Sequence, residues 1–239
     1  MMNIGNHDTI STAMSYFKQQ SELYGRQFIF SKPEMAEIIR NSSCMNYEKL
    51  SVMASQCSKC ALSAGRQHVV FGTGNLKAKV MLIGEAPGEE EDRQGIPFVG
   101  KAGQLLDKIL EAIDFKREEI YIANILKCRP PQNRDPLPDE INQCLPYLYR
   151  QIQCIQPILI LILGRIAAHA LLNTQQSLSQ LRGKQHTFQN IPLLVTYHPA
   201  ALLRHAEWKR SVWEDVQKLR RMYDQLVGDK PKWKPVKAN

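Results

Sequence analysis

Four of the six cysteines in this 239-residue chain are spaced so that they could bind one metal site together. Cys57 and Cys60 form a C-x2-C pair, from which two thiolates can converge on one ion or cluster. Cys128 and Cys144 bracket a proline-rich loop with little secondary structure of its own, which ligation at both ends would fix. Because Zn²⁺ and an iron–sulfur cluster both accept four thiolates, the residues leave the metal open. Four separate buried thiols are the simpler alternative.

The stretch GEAPGEEED crowds five carboxylates into the eight positions from Glu85 to Asp92. The chain as a whole carries a net charge of +8, which makes a polyanion or an anionic surface a reasonable partner. A run of acids is usually a solvated turn, and that is the first interpretation here. Its place directly after an apolar strand raises the alternative of a binding or catalytic loop.

The elements that must position these residues alternate between strands and helices along the chain. Short apolar runs predict buried parallel strands at 80–84, 121–127, 157–164 and 192–197. Amphipathic segments between them predict helices at 101–113, 138–155, 164–172 and 206–226. This alternation predicts an α/β fold of three layers, α/β/α, around a central, mostly parallel four-stranded sheet.

Three of the four predicted strands end in polar, irregular sequence, namely GEAPGEEED, KCRPPQNRDP and HPAALLR. Sheets of this class bind ligands at the carboxyl ends of their strands. We therefore expect the three segments to meet along one edge of the sheet.

The domain organisation predicted from the sequence has three parts. Residues 1–45 are predicted to be an accessory helical segment, 46–227 the main domain and 228–239 a basic C-terminal tail. The last 39 residues carry ten Lys and Arg against five Asp and Glu, so +5 of the net charge of +8 lies there.

Neither a secretory signal nor a membrane span is expected. The first 20 residues lack a basic stretch followed by an apolar core, and the most apolar run, 158–164, is far shorter than the about 20 residues that cross a bilayer. We expect a soluble cytoplasmic protein, in which the six cysteines do not form a disulfide framework.

Three motifs, GEAPGEEEDRQGIPFVGKAGQLL, NILKCRPPQNRDP and YHPAALLR, resemble those of the family 4 uracil-DNA glycosylases. The resemblance runs from roughly residue 47 to residue 225 and includes the cysteine spacing. It implies hydrolysis of the N-glycosidic bond of deoxyuridine in DNA, single- or double-stranded, by a monomer associated with the nucleoid. It also implies a [4Fe–4S] cluster on Cys57, Cys60, Cys128 and Cys144.

The resemblance implies roles for three residues of the pocket that would hold the flipped uracil. Phe98 would be the aromatic platform under the base. Asn124 would accept a hydrogen bond from uracil N3–H and donate one to O4, which rejects the amino edge of cytosine. His198 would stabilise the negative charge that develops on the ring, through O2. An ordinary core Phe, a turn-fixing Asn and a structural His are the competing interpretations.

The loop after His198 is expected to contact DNA. Leu202 or Leu203 would fill the gap that the base leaves, and Arg204 would bind phosphate.

The motifs indicate the catalytic carboxylate less directly than the other site residues. Ala86 stands in the uracil-binding motif where the best-studied uracil glycosylases have a water-activating Asp. A carboxylate is still expected, because the sugar acquires oxocarbenium character and a water molecule must attack it. Glu91 is the first candidate. Glu85, which the resemblance places among the uracil-binding residues, is the second, while Glu89 and Glu90 are expected to be solvated.

Two alternative functions remain. One is that of a binding protein of the same superfamily, and the other is a different role for the same cluster. A non-turnover or covalent uracil-DNA-binding protein would use a His in a longer insertion near the second motif, and KCRPPQNRDPLPDE contains neither. The second alternative is a redox or DNA-sensing role for the cluster. Nothing in the sequence indicates an electron-transfer partner, so we expect the cluster to have a structural role.

Overall fold

The computed structural model describes residues 46–233. The chain divides into two compact units, Met1–Asn46 and Tyr47–Asn239, and the described residues from Tyr47 onward belong to the second. The predicted accessory helical segment at 1–45 and the final residues 234–239 lie outside the described residues. The predicted domain boundaries stay predictions.

A six-stranded mixed sheet forms the centre of the described unit. Its strands are β1 Thr73–Gly74, β2 Val80–Gly84, β3 Tyr121–Asn124, β4 Leu159–Leu163, β5 His186–Phe188 and β6 Ile191–Thr196. Their order across the sheet is β1-β3-β2-β4-β6-β5. The four central strands are parallel, while β1 and β5 pair antiparallel at the two edges.

The prediction of an α/β fold with four parallel strands is confirmed, and the two edge strands are additions to it. Strands β2 and β4 are buried along their whole length because helices cover both faces of the sheet, which explains their unbroken apolar runs. The edge strands contain two and three residues and are too short to show an alternating pattern.

Eight α-helices are described. They are α1 Tyr47–Ser55, α2 Glu89–Gln94, α3 Lys101–Ala112, α4 Pro138–Ile155, α5 Arg165–Leu172, α6 Leu178–Leu181, α7 Pro199–Leu202 and α8 Lys209–Leu226. Single 3₁₀ turns lie at Ala61–Ala64, Arg117–Glu119, Pro131–Asn133 and Ala206–Trp208. Within the described residues, no helix combines the length and the apolar character that a membrane span requires.

Side chains alternate across the sheet into two apolar cores, one on each face. Met81 and Ile83 belong to the core under α4 and α5, whereas Val80 and Leu82 belong to the core under α3 and α8. This period of two is that of a strand, and it accounts for the three layers.

The described part of the predicted basic tail, residues 228–233, packs against the domain. Lys230 forms an ion pair with Glu119 at 2.7 Å, and the Trp233 indole donates a hydrogen bond to the Ala112 carbonyl at 3.2 Å. The buried Arg220 of α8 donates to the Pro231 carbonyl at 2.6 Å. These six residues therefore continue the fold beyond α8.

Candidate functional site

A pocket of about 370 Å³ opens where β2, β3 and β6 end. Its walls include six of the residues predicted for the site, Glu85, Ala86, Glu91, Phe98, Asn124 and His198, together with Arg204. The expectation that three polar segments meet at one edge of the sheet is confirmed. Parallel pairing is the reason, since it brings the carboxyl ends of these strands to the same side.

Gly84 sets the distance between the aromatic and amide walls of the pocket. In the register of the sheet Gly84 lies opposite Asn124. A Cβ atom on Gly84 would stand 2.7 Å from the Phe98 ring and closer still to Asn124 Oδ1. A larger residue at the end of β2 would therefore displace the Phe98 and Asn124 side chains.

Phe98 is almost fully buried, with 4% of its surface exposed, and its backbone has φ of 54°. The left-handed conformation is uncommon for a bulky residue and is found where the surrounding structure holds it. Here the adjacent Gly103 of α3 provides the space, because a Cβ at that position would overlap the Phe98 carbonyl. The ring is thus held in place against the pocket.

Among the side chains of the described pocket walls, Asn124 carries the one nitrogen or oxygen atom that is buried without a partner. The residue is 1% exposed, and its Oδ1 accepts no hydrogen bond. Its backbone carbonyl accepts from the buried Lys127 Nζ at 2.8 Å, and Lys127 also donates to Gln151 Oε1 at 2.6 Å. Because an unsatisfied buried acceptor is costly, its place in the pocket wall suits a ligand that donates a hydrogen bond.

His198 follows β6 and stands at the N-terminus of α7. Its Nδ1 accepts a hydrogen bond from the Ala200 backbone N–H at 3.2 Å, which leaves the proton of a neutral ring on Nε2. The pKa of His198 is lowered to about 4, chiefly because burial disfavours the charged ring; Glu91 raises it and Arg204 lowers it. The ring centroid lies 5.4 Å from that of Phe98, so His198 is a neutral donor beside the aromatic wall.

Gly164, directly after β4, makes the approach of His198 possible. Its φ of 97° is one that side-chain-bearing residues rarely adopt, and a Cβ there would lie 3.1 Å from the His198 Cβ.

The two candidate carboxylates have different surroundings. Glu91 Oε1 accepts hydrogen bonds from the backbone N–H groups of Val99 and Gly100, both at 2.9 Å. Glu91 therefore fixes the turn between Phe98 and α3 while lining the pocket. The pKa of Glu85 is raised to about 7, chiefly by burial and then by the charge of Asp135. Glu85 can therefore exchange a proton near neutral pH.

The other three acids of the loop have structural or solvent-facing positions. Glu89 and Glu90 are exposed, as expected, and Glu90 pairs with Arg93 at 2.7 Å. Asp92 is buried and accepts from the Gln67 backbone N–H at 3.0 Å, which ties α2 to the segment before β1.

The structure separates the two leucines proposed to fill the DNA gap. Leu202 is 3% exposed and belongs to the core under α3 and α8, so its side chain is not available at the surface. Leu203 is 53% exposed, and Arg204 beside it is exposed at the rim of the pocket. Leu202 is the last residue of α7 and its side chain points into the core, whereas the side chain of Leu203, directly after the helix, points outward.

The four predicted ligands Cys57, Cys60, Cys128 and Cys144 line a second cavity, next to α4. Within residues 46–233 no three His, Cys, Asp or Glu side chains are grouped closely enough to hold a single ion, while the four thiols all line this one cavity. This donor set consists of thiols alone and suits an iron–sulfur cluster, which needs more room than one ion.

Two basic residues contact these cysteines. Arg66 donates to Cys128 Sγ at 3.3 Å and to the Cys57 carbonyl at 2.7 Å. The backbone N–H of Lys127 donates to Cys144 Sγ at 3.2 Å. Cationic and N–H groups around thiolates would offset the negative charge of a bound cluster.

Sequence reasoning missed the part of the pocket wall formed by Asn133, Arg134 and Asp135. Arg134 makes a bidentate ion pair with the buried Glu140, with distances of 2.9 and 2.6 Å, and Asp135 pairs with Arg165 at 2.9 Å. These residues lie in the polar segment after β3. The position of that segment at the end of a strand was the one feature of the sequence that could have indicated their place in the pocket wall. A loop has no period from which to tell which side chains face a pocket.

The sequence is similar to one family of known proteins. Residues 71–217 match the family model described as the uracil DNA glycosylase superfamily. The type-4 uracil-DNA glycosylase of Archaeoglobus fulgidus is 41% identical over 171 residues, which cover 68% of this chain and 86% of that protein. The type-4 uracil-DNA glycosylase of Thermotoga maritima is 40% identical over 175 residues, covering 72% of this chain and 91% of that protein.

A more distant similarity reaches a second group. The type-5 uracil-DNA glycosylase of Pyrobaculum aerophilum is 27% identical over 146 residues, covering 54% of this chain and 64% of that protein.

Proposed function

The chain belongs to the type-4 uracil-DNA glycosylases of the uracil-DNA glycosylase superfamily, and we propose that it hydrolyses the N-glycosidic bond of deoxyuridine in DNA. The products are free uracil and an abasic site. The observation that carries this proposal is the unpaired, buried Oδ1 of Asn124 in a pocket wall shared with Phe98 and His198. A uracil stacked on the ring would present its N3–H to that oxygen.

Recognition would precede chemistry, because the base must leave the stack to reach the pocket. Phe98 offers its ring to the base. Asn124 accepts from N3–H and donates from its amide nitrogen to O4, whereas cytosine presents an acceptor at N3 and a donor at the adjacent position. The Lys127 side chain donates a hydrogen bond to the Asn124 backbone carbonyl. This contact fixes the backbone of Asn124 and so helps to keep its amide group aligned with the edge of the base.

Bond cleavage would leave the electron pair of the C1′–N1 bond on the uracil ring. His198, with its proton on Nε2, donates to O2 as negative charge develops there. A neutral donor fits this step because it binds the anion without having to be protonated first, and its low pKa keeps it neutral at physiological pH.

The two carboxylates would act on the sugar. We assign to Glu91 the electrostatic stabilisation of the developing cation, since the two backbone N–H groups that donate to its Oε1 hold the carboxyl group in the pocket wall. We assign to Glu85 the removal of a proton from the water that attacks C1′, since a base works best with a pKa near the working pH. Oxygen of the water then bonds to C1′ as uracil departs. Ala86, at the position of the usual Asp, lines the pocket without a polar group.

The cofactor that we propose is a [4Fe–4S] cluster held by Cys57, Cys60, Cys128 and Cys144. When bound, it supplies a covalent cross-link between the CSKC turn and the two ends of the segment 128–144. That segment includes Asn133 and Arg134 of the uracil pocket, so the cross-link would stabilise one wall. No step of the hydrolysis is assigned to the cluster.

DNA would lie across the rim formed by the 198–204 loop. Leu203 is the exposed side chain that can occupy the place of the flipped base, and Arg204 can contact a phosphate. We propose activity on both single- and double-stranded uracil-DNA. A monomeric state and association with the nucleoid stay predictions.

The test uses purified, cluster-containing protein with labelled oligonucleotides that contain one uracil, thymine or cytosine. Alkali converts an abasic site into a strand break, so we expect scission of the uracil oligonucleotide alone. Intact uracil strands in both single- and double-stranded form would refute the proposal.

A denaturing gel of the same reactions, run without alkali, separates turnover from trapping. We expect no retarded DNA, because the stretch 127–140 lacks the His through which a trapping protein would act. A retarded band that survives denaturation would show covalent binding instead of hydrolysis.

A further inference from the structure

Four side chains from three separate segments form a stacked column at the base of the DNA-facing loop. The Arg182 guanidinium lies 4.8 Å from the Tyr197 ring, and the Tyr197 and Trp208 rings stack at 4.4 Å with an angle of 17°. The His205 ring also stacks on Trp208, with a centroid distance of 4.3 Å and an angle of 19°. Cation–π and offset-stacked ring pairs of this kind are attractive and directional.

The inner end of the column is anchored in the domain. Arg182 donates to the buried Asp215 of α8 at 2.8 Å and to the Ser211 carbonyl at 2.6 Å. Asp215 also accepts from Thr196, the last residue of β6, at 2.7 Å. The column therefore rests on a buried ion pair that ties β6 to α8.

The outer end of the column, formed by Trp208 and His205, closes the loop of residues 198–204. Tyr197 directly precedes His198, and His205 directly follows Arg204, so the stacked rings hold the two ends of the segment 198–204 together. The exposed Leu203 lies inside this segment. No catalytic atom is part of the column, whose members act only through the loop that they close.

We propose that the Arg182–Tyr197–Trp208–His205 column is a positioning device that holds Leu203 and Arg204 rigid for use as a wedge in duplex DNA. This inference rests on the proposed function and adds to it the residues that determine activity on duplexes. A wedge must resist the base stack, which tends to close again behind a flipped base, and a loose loop would yield.

The column matters less for single-stranded DNA. There the uracil has no paired strand to leave, and the cost of extruding it is smallest. Loss of the column should therefore lower the duplex rate more than the single-strand rate. A merely structural role in the fold would lower both rates together.

The experiment compares single-turnover excision rates on single- and double-stranded uracil oligonucleotides of the same sequence. Trp208→Ala removes the centre of the column, and His205→Ala removes only its outer end, at an exposed side chain whose loss spares the core. Trp213→Ala is the matched control, because Trp213 packs on the same core and pairs with Trp233 instead.

We expect Trp208→Ala to lower the ratio of duplex to single-strand rates on the order of tenfold, which is below the about 10²-fold that a 1 Å misplacement can cost because the loop is loosened and not displaced outright. His205→Ala should lower the ratio less, and Trp213→Ala should leave it at the wild-type value. A 2-aminopurine base beside the uracil should brighten less on binding to Trp208→Ala in duplex DNA, since its fluorescence reports unstacking.

An unchanged ratio in both Trp208→Ala and His205→Ala would overturn the inference, and so would an equal fall in Trp213→Ala. These outcomes differ from failure of the proposed function, in which the wild-type protein excises uracil from neither substrate. If Trp208→Ala does not fold, His205→Ala decides the question alone.

Discussion

His198 Nδ1 accepts a hydrogen bond from the Ala200 backbone N–H, 3.2 Å away, and this contact leaves Nε2 as the atom that carries the proton. The backbone two residues further along thus selects the tautomer. In combination with the lowered pKa, it makes His198 a neutral hydrogen-bond donor throughout the physiological range.

His198→Ala should lower the single-turnover excision rate by about 10²–10³, the usual effect of losing one preorganised donor to a developing anion. Rapid-quench kinetics on a uracil oligonucleotide would measure the rate. Affinity for DNA with an uncleavable uracil analogue should change little. A rate within a factor of a few of the wild type would assign leaving-group stabilisation to another residue.

Glu85 should give the excision rate a pH dependence centred near neutrality. Its pKa is raised to about 7, so the carboxyl is protonated below that pH and ionised above it. A base must be ionised, and the rate should therefore rise with pH through about 7 and then level off. The profile of Glu85→Gln, measured beside the wild type, should be lower and lack this inflection. An inflection that persists in the variant would belong to a different group.

The same shift predicts how the stability of the fold depends on pH. Because the pKa of Glu85 is higher in the folded protein than its ordinary value, the folded state binds the proton more tightly. The resulting stability is fully present below about pH 4.5 and is lost as the pH rises through about 7. Denaturant unfolding of the wild type and Glu85→Gln across this range should show the difference. Parallel curves would contradict it.

Glu91 should show a difference between its amide and alanine variants. Glu91→Gln keeps an oxygen that can accept from Val99 and Gly100, so it should retain the Phe98 turn and lose only the negative charge. Glu91→Ala loses both and should bind uracil-DNA more weakly as well. We expect turnover to fall in both and KM to rise mainly in the alanine variant. Equal KM values in the two variants would argue against the bracing of the turn.

Gly84→Ala should disable the pocket while leaving the fold largely intact. The added methyl would press on the Phe98 ring and on Asn124 Oδ1, which form the base-binding walls. We expect activity to fall by at least about tenfold, in keeping with a misplaced binding group. Gly65→Ala is the control, because a Cβ there meets nothing within 4 Å. Full activity in Gly84→Ala would show that these walls do not hold the base.

Arg66 should influence the reduction potential of the proposed cluster. Its hydrogen bond to Cys128 Sγ favours the more negative, reduced form, so Arg66→Gln should lower the potential on the order of 50 mV. Redox titration of anaerobically purified protein, with iron and sulfide analysis, would measure it. Arg93→Gln, which removes a surface ion pair, is the control. Zinc in place of iron, or an unchanged potential, would refute this assignment.

Much of the fold and several site residues could be predicted from the sequence. The apolar runs of β2 and β4 and the amphipathic pattern of α4 are local features, and each can be read from neighbouring residues. Cys57 and Cys60 likewise owe their convergence to a single short turn. Motif resemblance placed Phe98, Asn124 and His198, and the structure brings all three into one pocket.

Tertiary structure alone decided the features that depend on burial and on distant partners. Leu202 and Leu203 are chemically identical neighbours, and only the packing of α7 against the core shows that the second is exposed. Glu91 acquires its bracing contacts from residues eight and nine positions away, across a turn. The column joins Arg182, Tyr197 and Trp208 from segments that no local period connects. Local patterns specify which elements form, whereas burial, hydrogen-bond partners and stacking arise only when those elements pack together.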